Sequence, residues 1–166
     1  MTVPTVSYQI MPGRQLDKKR ETISSMFDSI APVYDSLNHL LSFGIDRSWR
    51  RRLVRRVVSF CRQRPGDVRV LDVACGTGDV SIALHRKGLD VTGVDISANM
   101  MDIARKKAPE ITFSYGDASA LPFGDGTFDA VTIAFGIRNF DKRGQCIREL
   151  HRVLKDGGML AIAEFS

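Results

Sequence analysis

The sequence predicts an α/β fold: a parallel sheet of five strands in the order 3-2-1-4-5, with helices on both faces and a helical extension ahead of the first strand. Three observations lead there. From Arg69 onward, apolar runs of strand length alternate with segments of helical periodicity, the pattern of successive strand–helix–strand units with right-handed crossovers. The stretch RVLDVACGTGDVSIALHRKGLDVTGVD, Arg69 to Asp95, reads as a strand, a glycine turn, a helix and a second strand ending in a carboxylate. Finally, Asp72, Gly76, Asp95, Asp117 and the segment after Phe135 all fall at the ends of strands. In this strand order those ends meet at the switch point between strands one and four, where open sheets bind ligands.

Taken in order, Arg14 to Ile30 predicts a first helix, with Ile23, Met26, Phe27 and Ile30 on one stripe. Pro32 interrupts it, and Val33 to Leu41 predicts a second. Asp46 is a candidate cap for an arginine-rich helix that Pro65-Gly66-Asp67 ends. Residues 1–64 are thus expected to form a tail and helical lid, and residues 65–166 the sheet-bearing core. Val70, Leu71, Val73 and Ala74 suit a strand buried on both faces. Gly76-Thr77-Gly78 breaks the run, and glycine permits both unusual dihedrals and close approach of a ligand. Ile82, Ala83 and Leu84 carry a helix from Val80 to Lys87, stopped by Gly88. Asp90 to Val94 is the second strand, and Ser97 to Lys107 a helix with Met100, Met101, Ile103 and Ala104 facing inward. Ile111 to Tyr115 is the third strand, closed by Gly116-Asp117-Ala118. Phe128 to Phe135 is the fourth, Asp141 to Leu154 a helix, Asp156-Gly157-Gly158 a tight turn, and Met159 to Phe165 the fifth strand.

The glycine turn limits the ligand. A dinucleotide fingerprint needs G-x-G-x-x-G, and counting from Gly76 puts Ser81 at the last position, while counting from Ala74 fails at both ends. Asp79 stands at the start of the helix, where a pyrophosphate would lie, and its carboxylate is expected to repel one. S-adenosylmethionine carries a ribose diol, a sulfonium and an ammonium, none of which is repelled by nearby acids. The competing reading is a plain glycine turn with Asp79 as helix cap.

Composition is that of a globular domain: 166 residues, 43% hydrophobic and 26% charged. No apolar run is long enough to span a bilayer, and the first residues lack the apolar centre of a secretory signal. Cys61, Cys75 and Cys146 have no metal-ligand spacing, so reduced thiols, a cytoplasmic setting and no metal are expected. The net charge of +5 is concentrated in Arg47, Arg50, Arg51, Arg52, Arg55, Arg56, Arg62 and Arg64, interleaved with Leu53, Val54, Val57, Val58 and Phe60. This is either a solvated basic face or a surface for anionic lipid or nucleic acid.

The pattern hydrophobic-Leu-Asp-x-Ala-x-Gly-x-Gly with a later strand-end acid resembles Rossmann-like class I methyltransferases. Longer stretches resemble the demethylmenaquinone and ubiquinone-biosynthesis C-methyltransferases: MFDSIAPVYDSLNHLLSFGIDRSWRRRLV, VLDVACGTGD, GVDIS, GDASALPFGDGTFDAVTIAFGIRNF and RELHRVLKDGGMLAIAEFS. The resemblance implies an S-adenosylmethionine-dependent enzyme that methylates the ring of a polyprenyl demethylquinol, peripheral at the inner face of the membrane. It implies Asp95 as the ribose-binding acid, with Gly76, Thr77, Gly78 and Ile96 beside the cofactor and Asp117-Ala118 at the adenine. Met100 either packs on the adenine or is a core methionine. Asp72 either contacts the cofactor or orders the glycine turn.

For the acceptor, Arg138 and Asn139 stand just past the fourth strand, Arg138 as a candidate to stabilise a phenolate and Asn139 to orient a hydroxyl or a water. Tyr34 is either a third contact or a half-buried aromatic, and His39 is expected in surface packing. Alternatives are another small-molecule methyltransferase or a non-catalytic cofactor-binding fragment. Nucleic-acid substrates are disfavoured because Phe135-Gly136-Ile137-Arg138-Asn139 stands where base N-methyltransferases carry Asn/Asp-Pro-Pro-aromatic. Relatives of the resembling family continue past EFS with further strands. Met159 to Phe165 is therefore expected to be an open edge that either pairs with another copy or leaves the strand short and frayed.

Overall fold

A computed structural model describes residues 45–164. The helices expected over Arg14–Leu41, with Tyr34 and His39, lie outside the described residues. The described chain runs α1 (Ile45–Cys61), β1 (Arg69–Val73), α2 (Asp79–His85), β2 (Asp90–Asp95), α3 (Ala98–Lys107), β3 (Thr112–Tyr115), β4 (Phe128–Ala134), a 3₁₀ turn (Ile137–Asn139), α4 (Arg143–Val153) and β5 (Leu154–Ala163). All strand pairs are parallel and the order is β3-β2-β1-β4-β5, as expected from the alternation of elements.

Successive strand residues face opposite sides of the sheet, and the two sides bury different partners. On one side Val70, Val91, Phe113 and Ala130 pack with Leu53, Val54 and Val57 of α1, Leu84 of α2 and Met101 of α3. On the other, Leu71, Val73, Val131 and Ile133 pack with Leu150 and Val153 of α4. The last helix of the expected 1–64 unit therefore shares a core with the sheet. Leu53, Val54, Val57 and Val58 recur at three- and four-residue spacing, which turns one apolar stripe inward and leaves Arg51, Arg52, Arg55 and Arg56 exposed.

Two local expectations are corrected. Asp46 lies inside α1, whose described part begins one residue earlier, so it is not the residue ahead of the helix. The Asp156-Gly157-Gly158 turn does not precede the fifth strand but bulges within it. Leu154 pairs with Phe128, and Met159 then pairs with Ala130. The bulge is held by Asp129, whose carboxylate accepts from Lys155 Nζ at 2.8 Å, Arg64 Nε at 3.0 Å and the Arg69 backbone N–H at 3.0 Å. Burial alone would raise the Asp129 pKa, but these donors outweigh it and hold the carboxyl below its usual range. Arg64 also donates to the Gly157 carbonyl at 2.9 Å. It is a brace at the base of the sheet rather than part of a basic surface.

A second buried acid joins the elements under the strand tips. Asp72 and Thr132 are register partners on β1 and β4, and both face α2. Thr132 Oγ1 donates to Asp72 Oδ1 at 2.7 Å, and Ser81 Oγ of α2 donates to Oδ2 at 2.6 Å. Burial dominates the carboxyl and pushes its pKa up to about 6, although both hydroxyls pull it down. Because the folded value is raised, the folded chain keeps a proton that the unfolded chain releases. Asp72 then weighs against folding increasingly as pH rises from the usual carboxylate range through about 6. Asp72→Asn cannot ionise. Between about pH 4.5 and about pH 7 the variant's stability relative to the parent should improve by on the order of 2 kcal/mol. Urea unfolding at the two pH values reads this, and a pH-independent difference would rule it out.

Candidate cofactor cleft

At the carboxyl ends of β1, β2 and β4 lies a cleft of about 930 Å³, counting its open mouth and the solvent in it. Its first wall is built by Asp95. The acid closes β2, and its two oxygens tie the turns on either side. Oδ2 accepts the Gly76 N–H at 2.9 Å and Oδ1 accepts the Ser97 N–H at 2.9 Å. Ser97 in turn caps α3 by accepting the Met100 N–H at 3.2 Å. Ile96 lines the same wall.

The second wall is Gly116 to Ser119, after β3. Asp117 Oδ1 accepts the Ser119 N–H at 2.8 Å, which folds the acid back on its own loop, and Ala118 beside it leaves the wall shallow. Met100 is 1% exposed and belongs to the core, yet it also lines the cleft floor. Of the two roles considered for it from the sequence, the core role is the one its burial shows.

The glycine turn divides its residues between packing and ligand space. Gly76 takes φ 56° with open space on its Cβ side and lines the cleft. Gly78 takes φ 84°, and a Cβ there would lie 2.8 Å from the Phe113 ring, so its glycine serves the core. Thr77 is buried, accepts a hydrogen bond from Lys107 Nζ at 3.2 Å and lines a smaller hollow behind the turn, about 410 Å³ counting its open mouth and the solvent in it. Asp72 reaches that hollow too, from beneath, through the bonds already described.

Asp79 behaves differently from expectation. Its carboxylate is bracketed by Arg50 of α1 and by Lys107 Nζ of α3, the latter at 2.7 Å. Burial would raise its pKa, but Lys107 and Arg50 hold it below the usual range. The acid is ionised yet balanced, so on its own it does not repel a phosphate as the sequence suggested. The cleft walls carry that discrimination instead: Asp95, Asp117 and Asp141 face it against one cation, Lys142. Such a lining favours a neutral or cationic nucleoside over a pyrophosphate.

The third wall follows β4. One 3₁₀ turn advances about 120° per residue, so Ile137, Arg138 and Asn139 point three ways. Ile137 packs on the α4-side core, and Asn139 lines the cleft. Arg138 is 53% exposed in its side chain, 3.7 Å from the Glu164 carboxylate, and outside the lining of either hollow. Asp141 was not among the residues singled out from the sequence. Its Oδ2 is the one buried side-chain polar atom without a hydrogen-bond partner among the described residues, and it sits in the wall of the cleft. Its position just past the fourth strand, at the switch point, is the signal that marked this segment.

Residues 15–166 match the ubiE/COQ5 methyltransferase family. The chain is 46% identical over 156 residues to a demethylmenaquinone methyltransferase of Renibacterium salmoninarum, covering 94% of this chain and 64% of that protein. It is 46% identical over 161 residues to the ubiquinone/menaquinone biosynthesis C-methyltransferase UbiE of Geotalea uraniireducens, covering 92% and 66%. It thus spans a little under two thirds of each relative. Among solved structures, the cyclase SpnF superposes with a TM-score of 0.72 at 28% identity, over 87% of this chain and 60% of that one. A Pyrococcus horikoshii protein gives 0.63 at 36% identity, over 70% and 56%. The sheet order, the acid at the end of β2 and the match along nearly the whole sequence agree, and the chain belongs to the ubiE/COQ5 methyltransferase family.

Proposed function

We propose that this chain binds S-adenosylmethionine in the strand-tip cleft and, within its whole protein, serves methyl transfer to a ring carbon of a polyprenyl demethylquinol. The observation that carries the reading is Asp95, whose carboxylate holds both flanking turns by backbone bonds while lining an acid-rich cleft. The acceptor class comes from the names of the relatives. When bound, S-adenosylmethionine supplies an electrophilic methyl group on a sulfonium.

The chain's own residues then have distinct tasks. Asp95 receives the ribose hydroxyls, Asp117 accepts from the adenine amine, and Ala118, Ile96 and Met100 give the ring an apolar bed. Gly76 lets the backbone come close, while Thr77, Gly78 and Asp72 keep the turn in shape from behind. Attack by a ring carbon needs an electron-rich acceptor held in line and shielded from water. Asn139, in the cleft wall, orients the acceptor hydroxyl. Arg138 pairs with Glu164 outside that wall, so phenolate stabilisation is assigned to it only as a contact from the cleft mouth. Tyr34 belongs to the proposal as a further hydrogen bond to the acceptor ring oxygen.

Hydrogen bonds to a charged group contribute about 1.5–3 kcal/mol. Asp95→Ala should therefore weaken S-adenosylmethionine by roughly ten- to a hundredfold by calorimetry. A folded variant with unchanged affinity would remove the ribose assignment.

No described helix is long and apolar enough to cross a membrane. The proposal meets the lipid-borne acceptor through three of the exposed arginines of α1, Arg52, Arg55 and Arg56, beside Trp49 at 39% exposure. Vesicles with an anionic lipid should be bound in preference to neutral ones, and binding should fade with added salt. Replacing the three arginines by glutamine should abolish the preference, and equal partitioning by the parent chain would return this face to plain solvation.

At the other border, β5 ends the sheet among the described strands, with Leu160 and Ile162 at 38% and 44% exposure. The proposal has a second copy adding a strand there. Sedimentation of the 166-residue chain should give a dimer that Ile162→Lys dissociates, and a monomer at all concentrations would exclude it.

A further inference from the structure

The larger cleft and the smaller hollow share four lining residues, Ala74, Gly76, Ala134 and Phe135, at the tips of β1 and β4. Of these, Phe135 alone carries a side chain longer than a methyl group. Among the described residues, Ala74 at φ 54° and Phe135 at φ 59° are the non-glycine residues with left-handed backbone, a conformation that any Cβ disfavours. The surroundings enforce it. The Phe135 N–H donates to the Ala163 carbonyl at 2.8 Å. Gly136 also lies so near β1 that a Cβ there would stand 2.6 Å from the Ala74 methyl. Glycine would fit position 135 with less strain, yet an aromatic occupies it. Strain held in place at a site boundary points to a role for the side chain that bears it.

The role follows from the reading proposed above, on which this inference rests. In S-adenosylmethionine the sulfur joins the ribose to the amino-acid chain. With the adenosine along Asp95 and Asp117 in the larger cleft and the amino-acid chain toward the smaller hollow, the sulfur lies where the two meet. We propose that Phe135 is a specificity-determining residue whose ring meets the sulfonium charge at this junction and favours the charged methyl donor over its neutral thioether product. An aromatic face attracts a cation and gains little from a neutral sulfur by the same route. Transfer of the methyl group removes the positive charge, so the contact weakens once the product has formed.

The test needs no turnover. Calorimetry measures the affinities of the 166-residue chain for S-adenosylmethionine and S-adenosylhomocysteine, and the readout is their ratio. Phe135→Leu keeps apolar bulk without the ring. It should weaken the sulfonium ligand by roughly three- to thirtyfold more than the thioether, while Phe135→Tyr should retain the parent ratio. Phe135→Gly suits the left-handed backbone. It should lose the preference without a lower melting midpoint, an outcome that a merely structural aromatic would not give. If Phe135→Leu does not fold, the glycine variant carries the comparison. An unchanged ratio in the leucine or glycine variant, with both ligands still bound, overturns the role of Phe135 and leaves the cofactor reading standing. Failure of the parent chain to bind either ligand overturns the cofactor reading and this inference with it.

Discussion

Asp72 lies 1% exposed between Thr132 of β4 and Ser81 of α2, and both hydroxyls donate to it. A carboxylate in that position is tolerable only while both donors stay in place, because an unpaired buried charge costs several kcal/mol. The spacing of β1, β4 and the first turn of α2 is thereby fixed beneath the strand tips. Everything above depends on that spacing. The glycine turn leaves β1 just beyond Asp72, Gly136 approaches Ala74 closely enough to exclude a Cβ, and Asp95 reaches Gly76 at 2.9 Å. A small shift between the strands would alter all three contacts together.

The cleft wall after β3 is held by an equivalent device on the opposite face. Arg152 of α4 donates to the carbonyls of Leu121 and Phe123 and to Asp125 and Glu149, while Glu149 accepts the Leu121 N–H. Gln145 of the same helix donates to the Ser119 carbonyl at 2.9 Å. The loop after β3 is thus tied along its length to α4, and Asp117 is presented by a supported backbone. Glu149 is held below the usual carboxylate range by Arg152, so the tie persists at neutral pH.

Charge is distributed so that sign changes with location. The chain as a whole is +5, but its cleft is lined by three acids and one lysine. Elsewhere the acids that could disturb this arrangement are paired: Asp79 with Arg50 and Lys107, and Asp129 with Arg64 and Lys155. Pairing Asp79 neutralises the entrance to α2 and fastens α1 to α3 across it. The exposed arginines of α1 point away from the sheet, so a positive outer face and a negative cleft coexist on one small domain.

The fold was legible because it rests on local periodicity. Strand-length apolar runs, helical stripes such as Leu53-Val54-Val57-Val58 and the glycine turn are each defined within a few neighbouring residues, and together they specify order and direction. The cleft walls were legible for a related reason, since Asp95, Gly76, Asp117 and Asn139 sit at strand ends and the topology brings strand ends together. What the sequence could not determine depends on partners remote in the chain. Asp79 read as an open charge because Arg50 and Lys107 lie 29 and 28 residues away. Arg138 read as part of the cleft because the 3₁₀ turn that directs it toward Glu164 has no sequence signature of its own. The strand-like run to Phe135 did not disclose that its last residue is left-handed. That conformation is imposed by the close packing of Gly136 on Ala74 and by the bond to Ala163, contacts that exist only once β1, β4 and β5 lie side by side.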